Sequence, residues 1–147
     1  MALRQVVYAS HERFPFEGLA LVSLLSHARA RNAAQGITGV LLYANGAFVQ
    51  CLEGPSAAVD ALFARIERDP RHGDVVLLHA LPVARRHFGA WWMGCARVHD
   101  FRVLARIRDE WDAAIGALDR DAALSPGFVL MKTIWEDYAR AGLIDRP

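Results

Sequence analysis

Two apolar runs on either side of Asn45-Gly46 constrain the fold of this chain more than any other feature. They form the stretch TGVLLYANGAFVQCLEG, residues 38–54. Asparagine and glycine both tolerate a positive φ, so this pair is favoured in type I′ turns between antiparallel strands. The pattern therefore predicts a β-hairpin, with Gln50 on the same side of its strand as Phe48 and Leu52.

Strand-like and helix-like segments alternate around the hairpin. Their order, βαββαβ plus one more strand, indicates an α+β fold with a ferredoxin-like, mixed five-stranded sheet and both long helices on one face. Glycine and proline mark the expected helix ends. The predicted strands are Leu3–Ala9, DVVLLHALPV (74–83) and MGCARVHDF (93–101), besides the two of the hairpin. One helix is predicted from Gly18 to Gln35, where Leu21, Leu25, Ala28 and Asn32 recur at helical spacing before a C-cap at Gly36. A second helix has Ser56 as N-cap, carries Val59, Leu62, Phe63 and Ile66 on one face, and ends near Asp69-Pro70.

From about Val103 onward the chain is rich in alanine and arginine, and two more helices are predicted. Two such helices are not stable alone in water, so their apolar faces must dock, and the free face of the sheet is the natural place. We therefore expect one compact unit in which residues 1–100 form the sheet domain and residues 101–147 a helical cap. The apolar positions are Leu104, Ile107, Trp111, Ile115 and Leu118 in the first helix and, after Ser125-Pro126-Gly127, Val129, Ile134, Trp135 and Tyr138 in the second.

Charge and composition exclude several classes of function. The 147 residues include 17 basic and 16 acidic side chains, for a formal net charge of +1, which gives no general electrostatic reason to expect nucleic acid or an anionic membrane. No apolar run reaches the roughly 20 residues needed to cross a bilayer, and the N-terminus turns polar too soon for a signal peptide. Cys51 and Cys95 fit no CxxC spacing and are predicted to be buried free thiols in a cytoplasmic protein, a disulfide being the less favoured alternative.

Sequence motifs for hydrolytic or metal chemistry are missing. The chain has no GxxxxGK[ST], GxGxxG, HExxH or GxSxG motif. Its six histidines show none of the i,i+2 or i,i+4 pairs expected of a metal site. We therefore expect a protein that is not an enzyme and holds no metal.

A small polar set is embedded in the apolar segments. Gln50 lies on the apolar side of its strand, where an amide is costly unless it is hydrogen-bonded, and Tyr8 closes the first strand. Taken alone, Gln50 is also consistent with a core glutamine satisfied by the backbone or by Tyr8. Asn32 is consistent with an ordinary polar residue in the last turn of a helix, and residues 91–93 (WWM) with core filling.

Taken together, these segments closely resemble the BLUF family, the sensors of blue light using flavin. The resemblance runs from about Val6 to Arg97. The motifs that carry it are the strand ending in Tyr8, RNAAQGITG (31–39), FVQCLEG (48–54), DPRH (69–72) and FGAWWMG (88–94).

The resemblance implies a flavin bound noncovalently between the two long helices, with FAD expected and FMN or riboflavin possible. It makes Tyr8 the electron and proton donor to the flavin. It places Gln50 between Tyr8 and the ring, where reorientation or tautomerisation of the amide rearranges hydrogen bonds without moving the cofactor. Asn32 matches the asparagine that holds the pyrimidine edge of the ring.

The remaining matched residues lie at the two ends of this arrangement. Arg65 and Asp69 match positions near the ribityl and phosphate end, and His72 matches the motif with a binding or only a structural role. Trp91 and Met93 match the residues that couple the glutamine to the fifth strand, and the resemblance leaves open which of the two points inward.

The chain departs from the family pattern at two positions. Arg31 stands where the family often has a second asparagine, and Ala28 stands where a serine often faces the flavin. Neither change removes Tyr8 or Gln50.

The fifty or so residues after Arg97 are too few for an attached cyclase or phosphodiesterase domain, so we expect a short stand-alone sensor. Its fifth strand and C-terminal helices would signal to a homo-oligomer or a protein partner. Two rivals stay open. A ferredoxin-like acylphosphatase would use an arginine such as Arg13 after the first strand but leaves Gln50 unexplained, and a regulatory binding module would have lost flavin.

Overall fold

The computed structural model describes residues 2–13, 19–89, 93–111 and 125–145, without the side chains of residues 19–22, 72, 101 and 145. Its strands and helices alternate as the sequence predicts. The strands are β1 (Leu3–Glu12), β2 (Thr38–Ala44), β3 (Ala47–Pro55), β4 (His72–Val83), β5 (Gly94–Arg97) and β6 (Ile144–Asp145), and the helices are α1 (Leu19–Gln35), α2 (Ser56–Glu67), α3 (Phe101–Asp109) and α4 (Pro126–Arg140).

The strands form one mixed sheet in the order β4-β1-β3-β2-β5-β6. β1 is antiparallel to β3 and β4, β2 is antiparallel to β3, and β5 runs parallel to β2. The predicted ferredoxin-like α+β fold is confirmed. The two-residue β6 adds a sixth strand, which is too short to leave a periodic signal in the sequence.

The predicted hairpin joins β2 to β3. Asn45 and Gly46 have φ angles of 47° and 89°, as a type I′ turn requires. Gly39 allows the two strands to pair closely, because a Cβ at this position would lie 2.0 Å from the Cys51 carbonyl oxygen. The hairpin therefore fixes the centre of the sheet and, with it, the side to which Gln50 points.

Alternation along the strands divides the interior into two cores. In β3, Phe48 and Leu52 face α1 and α2, whereas Val49 and Cys51 face α3 and α4. The predicted helical cap on the second face is confirmed. We call the core that faces α1 and α2 the pocket-side core, and the core that faces α3 and α4 the cap-side core. Both Cys51 and Cys95 are buried free thiols, as expected.

Several local predictions were wrong. Ser56 is not the N-cap of α2 but its first residue, because Pro55 holds the extended cap conformation (φ −55°, ψ 133°). Val129 does not dock: it is 50 % exposed, and the buried face of α4 is formed by Phe128, Met131 and Trp135.

The fifth strand is also shorter than predicted. It ends at Arg97, because the Asp100 side chain accepts a hydrogen bond from the Arg102 backbone N–H and starts α3 at Phe101. The predicted helical positions Ile115 and Leu118 lie outside the described residues. None of the described helices is long and apolar enough to cross a membrane.

Candidate functional site

A cavity of about 470 Å³ lies between helices α1 and α2 and the pocket-side face of the sheet. Its volume falls within the range of about 300–1,000 Å³ that is typical of small-molecule sites. Leu24 and Leu25 of α1 and Leu62 and Ile66 of α2 form an apolar wall on each side. Such a slot suits a flat, largely apolar group.

Tyr8 and Gln50 lie side by side in the floor of this cavity. They are register partners in the β1–β3 ladder, and the Tyr8 hydroxyl donates a hydrogen bond to Gln50 Oε1. Gln50 Nε2 donates to Met93 Sδ at 3.1 Å. Met93, which is only 1 % exposed, therefore points inward, while Trp91 lies outside the described residues.

Burial determines the protonation state of this tyrosine. It raises the pKa of Tyr8 well above its ordinary value, the negative charge of Asp69 raises it further, and the positive charge of Arg31 partly offsets both effects. The phenol is therefore neutral at neutral pH and acts as a hydrogen-bond donor. Its ring also packs against Phe63, with the centroids 5.5 Å apart.

Gln50 retains hydrogen-bonding capacity toward the cavity. A carboxamide offers two N–H donors and two lone pairs on its oxygen. Tyr8 and Met93 each use one of these. Asn32, 1 % exposed on α1, brings a second carboxamide to the same cavity. These two amides match a ligand with alternating donors and acceptors along one edge.

One end of the cavity is strongly cationic. Arg31, Arg65, Arg68 and Arg71 line it, and Asp69 is the one carboxylate among the described lining residues. Asp69 is already paired with Arg71, whose Nη2 lies 2.5 Å from a carboxylate oxygen. This end of the cavity therefore carries excess positive charge.

Among the described residues, Arg31 lacks a hydrogen-bond partner at one buried donor. Burial lowers its pKa, and the like charges of Arg65 and Arg71 lower it further. Its buried Nε has no hydrogen-bond partner within the described parts of the chain. An anionic ligand at this end would relieve both the repulsion and the missing hydrogen bond.

The structure brings most of the predicted site residues together. Tyr8, Gln50, Met93, Asn32, Arg65 and Asp69 all line the cavity. For His72 only the backbone, at the start of β4, is described.

Sequence reasoning missed Arg68 and Arg71 and noted Arg31 only as a departure from a pattern. The available signal was RIERDPR (65–71), with three arginines at a helix end and the following turn. Among the described residues, no group of three histidine, cysteine, aspartate or glutamate side chains could hold a metal.

Comparison with known families shows the family of the chain that forms this cavity. The family model "BLUF: Sensors of blue-light using FAD" matches residues 3–94, more than half of the chain. The chain belongs to the BLUF family. The matched residues include the whole cavity floor and both helices that enclose it, whereas α3 and α4 lie beyond the match.

Named BLUF proteins and light-activated enzymes are among the similar proteins. The photoactivated adenylate cyclase subunit beta of Euglena longa is 44 % identical over 90 residues, which cover 61 % of this chain and 10 % of that protein. The corresponding subunit of Euglena gracilis gives the same identity and coverage. The BLUF chain thus spans about a tenth of the length of these curated relatives.

Two solved structures extend the likeness over most of the chain. BlrB, described as a BLUF protein in its dark state, is 32 % identical with a TM-score of 0.65, covering 90 % of this chain and 95 % of that one. The photo-activated state of BlsA is 30 % identical with a TM-score of 0.63, covering 81 % and 86 %.

The residues of this BLUF chain fit a flavin. The apolar slot suits the ring, the amides of Gln50 and Asn32 suit its polar edge, and the arginines suit a phosphate. The acylphosphatase alternative is not favoured. The backbone N–H of Arg13 donates to the Arg71 carbonyl, and the Arg13 side chain lies against Gly73 and is absent from the described lining of the cavity.

Proposed function

We propose that this BLUF protein is a blue-light receptor that holds a flavin noncovalently between α1 and α2, with Tyr8 and Gln50 as the switch. The observation that carries the proposal is the direct hydrogen bond from the Tyr8 hydroxyl to Gln50 Oε1 in the floor of a ligand-sized cavity. Both groups are buried, and the phenolic proton of Tyr8 lies on the hydrogen bond to the Gln50 amide oxygen.

The chemistry follows from the two side chains. A bound flavin supplies absorption of blue light and, once excited, a strong demand for an electron. Tyr8 would be the donor of that electron, and its phenolic proton would move along the existing hydrogen bond toward Gln50 Oε1. Return of both to Tyr8 would restore the neutral phenol. Gln50 then turns or tautomerises, which changes the donor and acceptor that it presents to its neighbours.

Met93 carries this change away from the cavity. In the structure Gln50 Nε2 donates to Met93 Sδ, and the Met93 carbonyl accepts a hydrogen bond from Arg29 Nε at 2.9 Å. Met93 directly precedes β5, the strand that pairs with β2. We take the orientation with Nε2 toward Met93 as the resting state, so that light weakens this contact at the start of β5.

The cationic end of the cavity supports a flavin nucleotide, with FAD as the expected cofactor and FMN as the alternative, rather than riboflavin. Riboflavin has no phosphate and would leave Arg31, Arg65 and Arg71 in mutual repulsion. Asn32 would hold the pyrimidine edge of the ring. Arg65 and Asp69 would contact the ribityl and phosphate end. The roles of His72 and Trp91 stay predictions from the resemblance.

The cap is the proposed output element. We assign residues 1–100 to light sensing and residues 101–147 to signalling, through contact with a second copy or with another protein rather than through catalysis by this chain. α3 and α4 support this assignment because they cover the face of the sheet opposite the cavity. The two buried free thiols support a reducing compartment such as the cytoplasm.

An absorbance spectrum of the purified full-length chain tests the proposal. We expect a yellow protein whose flavin bands move to longer wavelength under blue light and return in darkness. Denaturation should release the flavin into solution, because no covalent bond holds it. A colourless protein that gains no colour when mixed with FAD or FMN would contradict flavin binding. A flavin-loaded protein with an unchanging spectrum would contradict the switch.

A further inference from the structure

A second buried polar cluster lies on the opposite face of the sheet, outside the flavin cavity. It consists of Gln5 on β1, Glu53 on β3 and His79 on β4, which are 0 %, 0 % and 8 % exposed. A buried carboxylate costs free energy unless its hydrogen bonds are satisfied. The hydrogen bonds of this cluster therefore show which parts of the chain it holds in place.

Glu53 binds the chain segment that leads to Met93. Its carboxylate accepts hydrogen bonds from the backbone N–H of His87 (2.8 Å to Oε2) and of Phe88 (2.7 Å to Oε1), and a third from Gln5 Nε2 at 2.9 Å. Burial alone would raise its pKa, but the contact with the His87 ring (3.3 Å) and these hydrogen bonds outweigh burial and hold the pKa below its usual value. Glu53 is thus an ionised anchor for the start of this segment.

The same cluster reaches the cap. His79 Nε2 lies 2.7 Å from Gln5 Oε1, and Trp111 Nε1, at the end of α3, donates to His79 Nδ1 at 3.2 Å. An indole N–H can only donate, so Nδ1 carries no proton and Nε2–H donates to Gln5. Each group in this chain therefore donates a hydrogen bond to the next: Trp111 to His79, His79 to Gln5, and Gln5 to Glu53.

Glu53 and Gln50 hold the same segment from the two faces of one strand. Glu53 follows Gln50 by three residues on β3 and points to the cap side. It binds the backbone at residues 87 and 88, whereas Gln50 binds the Met93 side chain from the pocket side. The two attachments lie five residues apart along the chain, at Phe88 and Met93.

We propose that Glu53 is a positioning residue that sets the contact between Gln50 and Met93 and, through Gln5 and His79, couples this contact to the docking of Trp111 in the cap. This inference rests on the proposed photoreceptor function. It gives a physical route by which a change at Gln50 reaches the cap helices, across the sheet rather than along β5.

Glu53→Gln in the flavin-loaded full-length chain tests the proposal. The amide keeps the size of the side chain but turns one acceptor into a donor, which then faces the donors at residues 87 and 88. We expect flavin binding to persist and recovery in the dark to slow by roughly threefold to tenfold, because the contact of Gln50 with Met93 in the resting state is weakened. Recovery at the wild-type rate would overturn the proposal.

Met131→Ala is the matched control for a loss of stability. Met131 is fully buried in the same cap-side core, so its truncation destabilises the cap without touching the cluster. We expect recovery within about twofold of wild type, since no hydrogen bond to the segment is changed. A change as large as that of Glu53→Gln would show that lost stability, and not positioning, sets the rate.

Trp111→Phe keeps the proposal testable if Glu53→Gln does not fold. It removes the N–H to His79 together with part of the indole, and it retains an aromatic ring against Phe128. We expect recovery to slow by about twofold in Trp111→Phe alone. Where Glu53→Gln folds, the effects of both changes should be non-additive in the double variant, because they act through one chain of hydrogen bonds. An unchanged rate in Trp111→Phe would overturn the link to the cap. A wild-type protein without a photocycle would instead refute the proposed function.

Discussion

Tyr8 and Gln50 are direct cross-strand partners in the β1–β3 ladder, and the hydroxyl of one donates to the amide oxygen of the other. A register shift of one residue would turn either side chain to the cap face. The pocket-side residues Val6 and Leu52, which are also partners in this ladder, hold the register by burial. The proposed switch is therefore built into the rigid sheet and not into a loop.

Tyr8→Phe should abolish the light-induced shift while leaving flavin bound. The phenyl ring keeps its packing against Phe63, but the electron donor and the hydrogen bond to Gln50 are lost. We expect a cost of about 1 kcal/mol in the free energy of unfolding, as for one neutral hydrogen bond. Light-minus-dark absorbance spectra measure the shift, and urea unfolding measures the stability.

Tyr43→Phe is the matched control for this variant. Tyr43 also lies in the pocket-side core, and its hydroxyl donates to Glu12 Oε2 at 3.1 Å, away from Gln50. Its spectrum should shift as the wild-type spectrum does. A normal photocycle in Tyr8→Phe, or its loss in both variants, would contradict the role assigned to Tyr8.

Met93→Leu should slow recovery in the dark. Leucine fills a similar volume but offers no acceptor for Gln50 Nε2, so the resting orientation of the amide loses one weak hydrogen bond. We expect recovery to slow by about twofold to fivefold, corresponding to less than 1 kcal/mol. Met131→Leu, the same exchange in the cap-side core, should recover at the wild-type rate. Identical kinetics in all three proteins would argue against Met93 as a partner of the switch.

The fold could be predicted because its main signals are local. The Asn45-Gly46 turn and the alternation along β3 need only neighbouring residues, and they place Gln50 on the correct face. Ser56 and Val129 were misplaced because the decisive causes are the conformation of Pro55 and the face of α4 that packs on the sheet, formed by Phe128, Met131 and Trp135. Neither cause can be seen within the segment itself.

The site could be predicted only in part, because some of its residues come together only in the folded chain. The resemblance named residues of the cavity one by one, but the cationic end depends on Arg31, Arg68 and Arg71 converging from α1 and from the chain after α2. The cap-side cluster of Gln5, Glu53 and His79 was missed because each residue alone resembles an ordinary polar position. Polar residues at buried positions of strands β1, β3 and β4 were the available signal.

Arg31→Gln should distinguish flavin nucleotides from riboflavin. Glutamine keeps a polar end but removes the charge that a phosphate would neutralise. We expect the dissociation constant for FMN to rise by roughly tenfold, about 1.4 kcal/mol, while that for riboflavin stays within about twofold. Quenching of flavin fluorescence by the apoprotein measures both.

Arg102→Gln supplies the control for Arg31→Gln, because Arg102 is an exposed arginine paired with Asp100 far from the cavity. Its affinity for both flavins should be unchanged. An equal loss for FMN and riboflavin in Arg31→Gln would show that Arg31 contacts the ring and not the phosphate.

Gly127→Ala should loosen the cap. A Cβ at this position would lie 2.4 Å from the Ile107 carbonyl oxygen and 2.8 Å from the Trp111 ring, so α4 would have to move away from α3. We expect a loss of about 1–3 kcal/mol in the free energy of unfolding. Gly89→Ala, whose new Cβ would meet only the flexible Arg86 side chain at 3.3 Å, should cost less. Equal unfolding midpoints for the two variants would contradict the close packing of α3 and α4.

Acid should destabilise the protein through His79. Burial and, to a smaller extent, the charge of His87 lower the pKa of His79 to about 4, with a partial offset from the charge of Glu53. The groups that face His79 are Gln5 from β1, Trp111 after α3 and Phe128 from α4. If Nδ1 carried a proton, two N–H donors would face each other, one from His79 and one from Trp111. The folded state therefore disfavours protonation of His79.

The sign of the effect follows from the lowered pKa. Above the ordinary histidine pKa of about 6.5, folded and unfolded chains are both neutral at this residue, and folding carries no penalty. Below a pH of about 6.5, His79 binds a proton in the unfolded chain but not in the folded chain. The free energy of unfolding therefore falls as the pH drops from about 6.5 toward 4. At pH 5 the loss is about 2 kcal/mol. Glu53, whose pKa is also held low, adds a loss in the same direction at still lower pH.

His79→Gln isolates this contribution, because glutamine does not titrate. The difference in unfolding free energy between pH 7.5 and pH 5, measured in urea, should be smaller than in the wild type by about 2 kcal/mol. His27→Gln, a change at an exposed position of α1, should leave that difference as it is in the wild type. If His79→Gln keeps the full pH dependence, then His79 is not the neutral, buried link between the cap and the sheet.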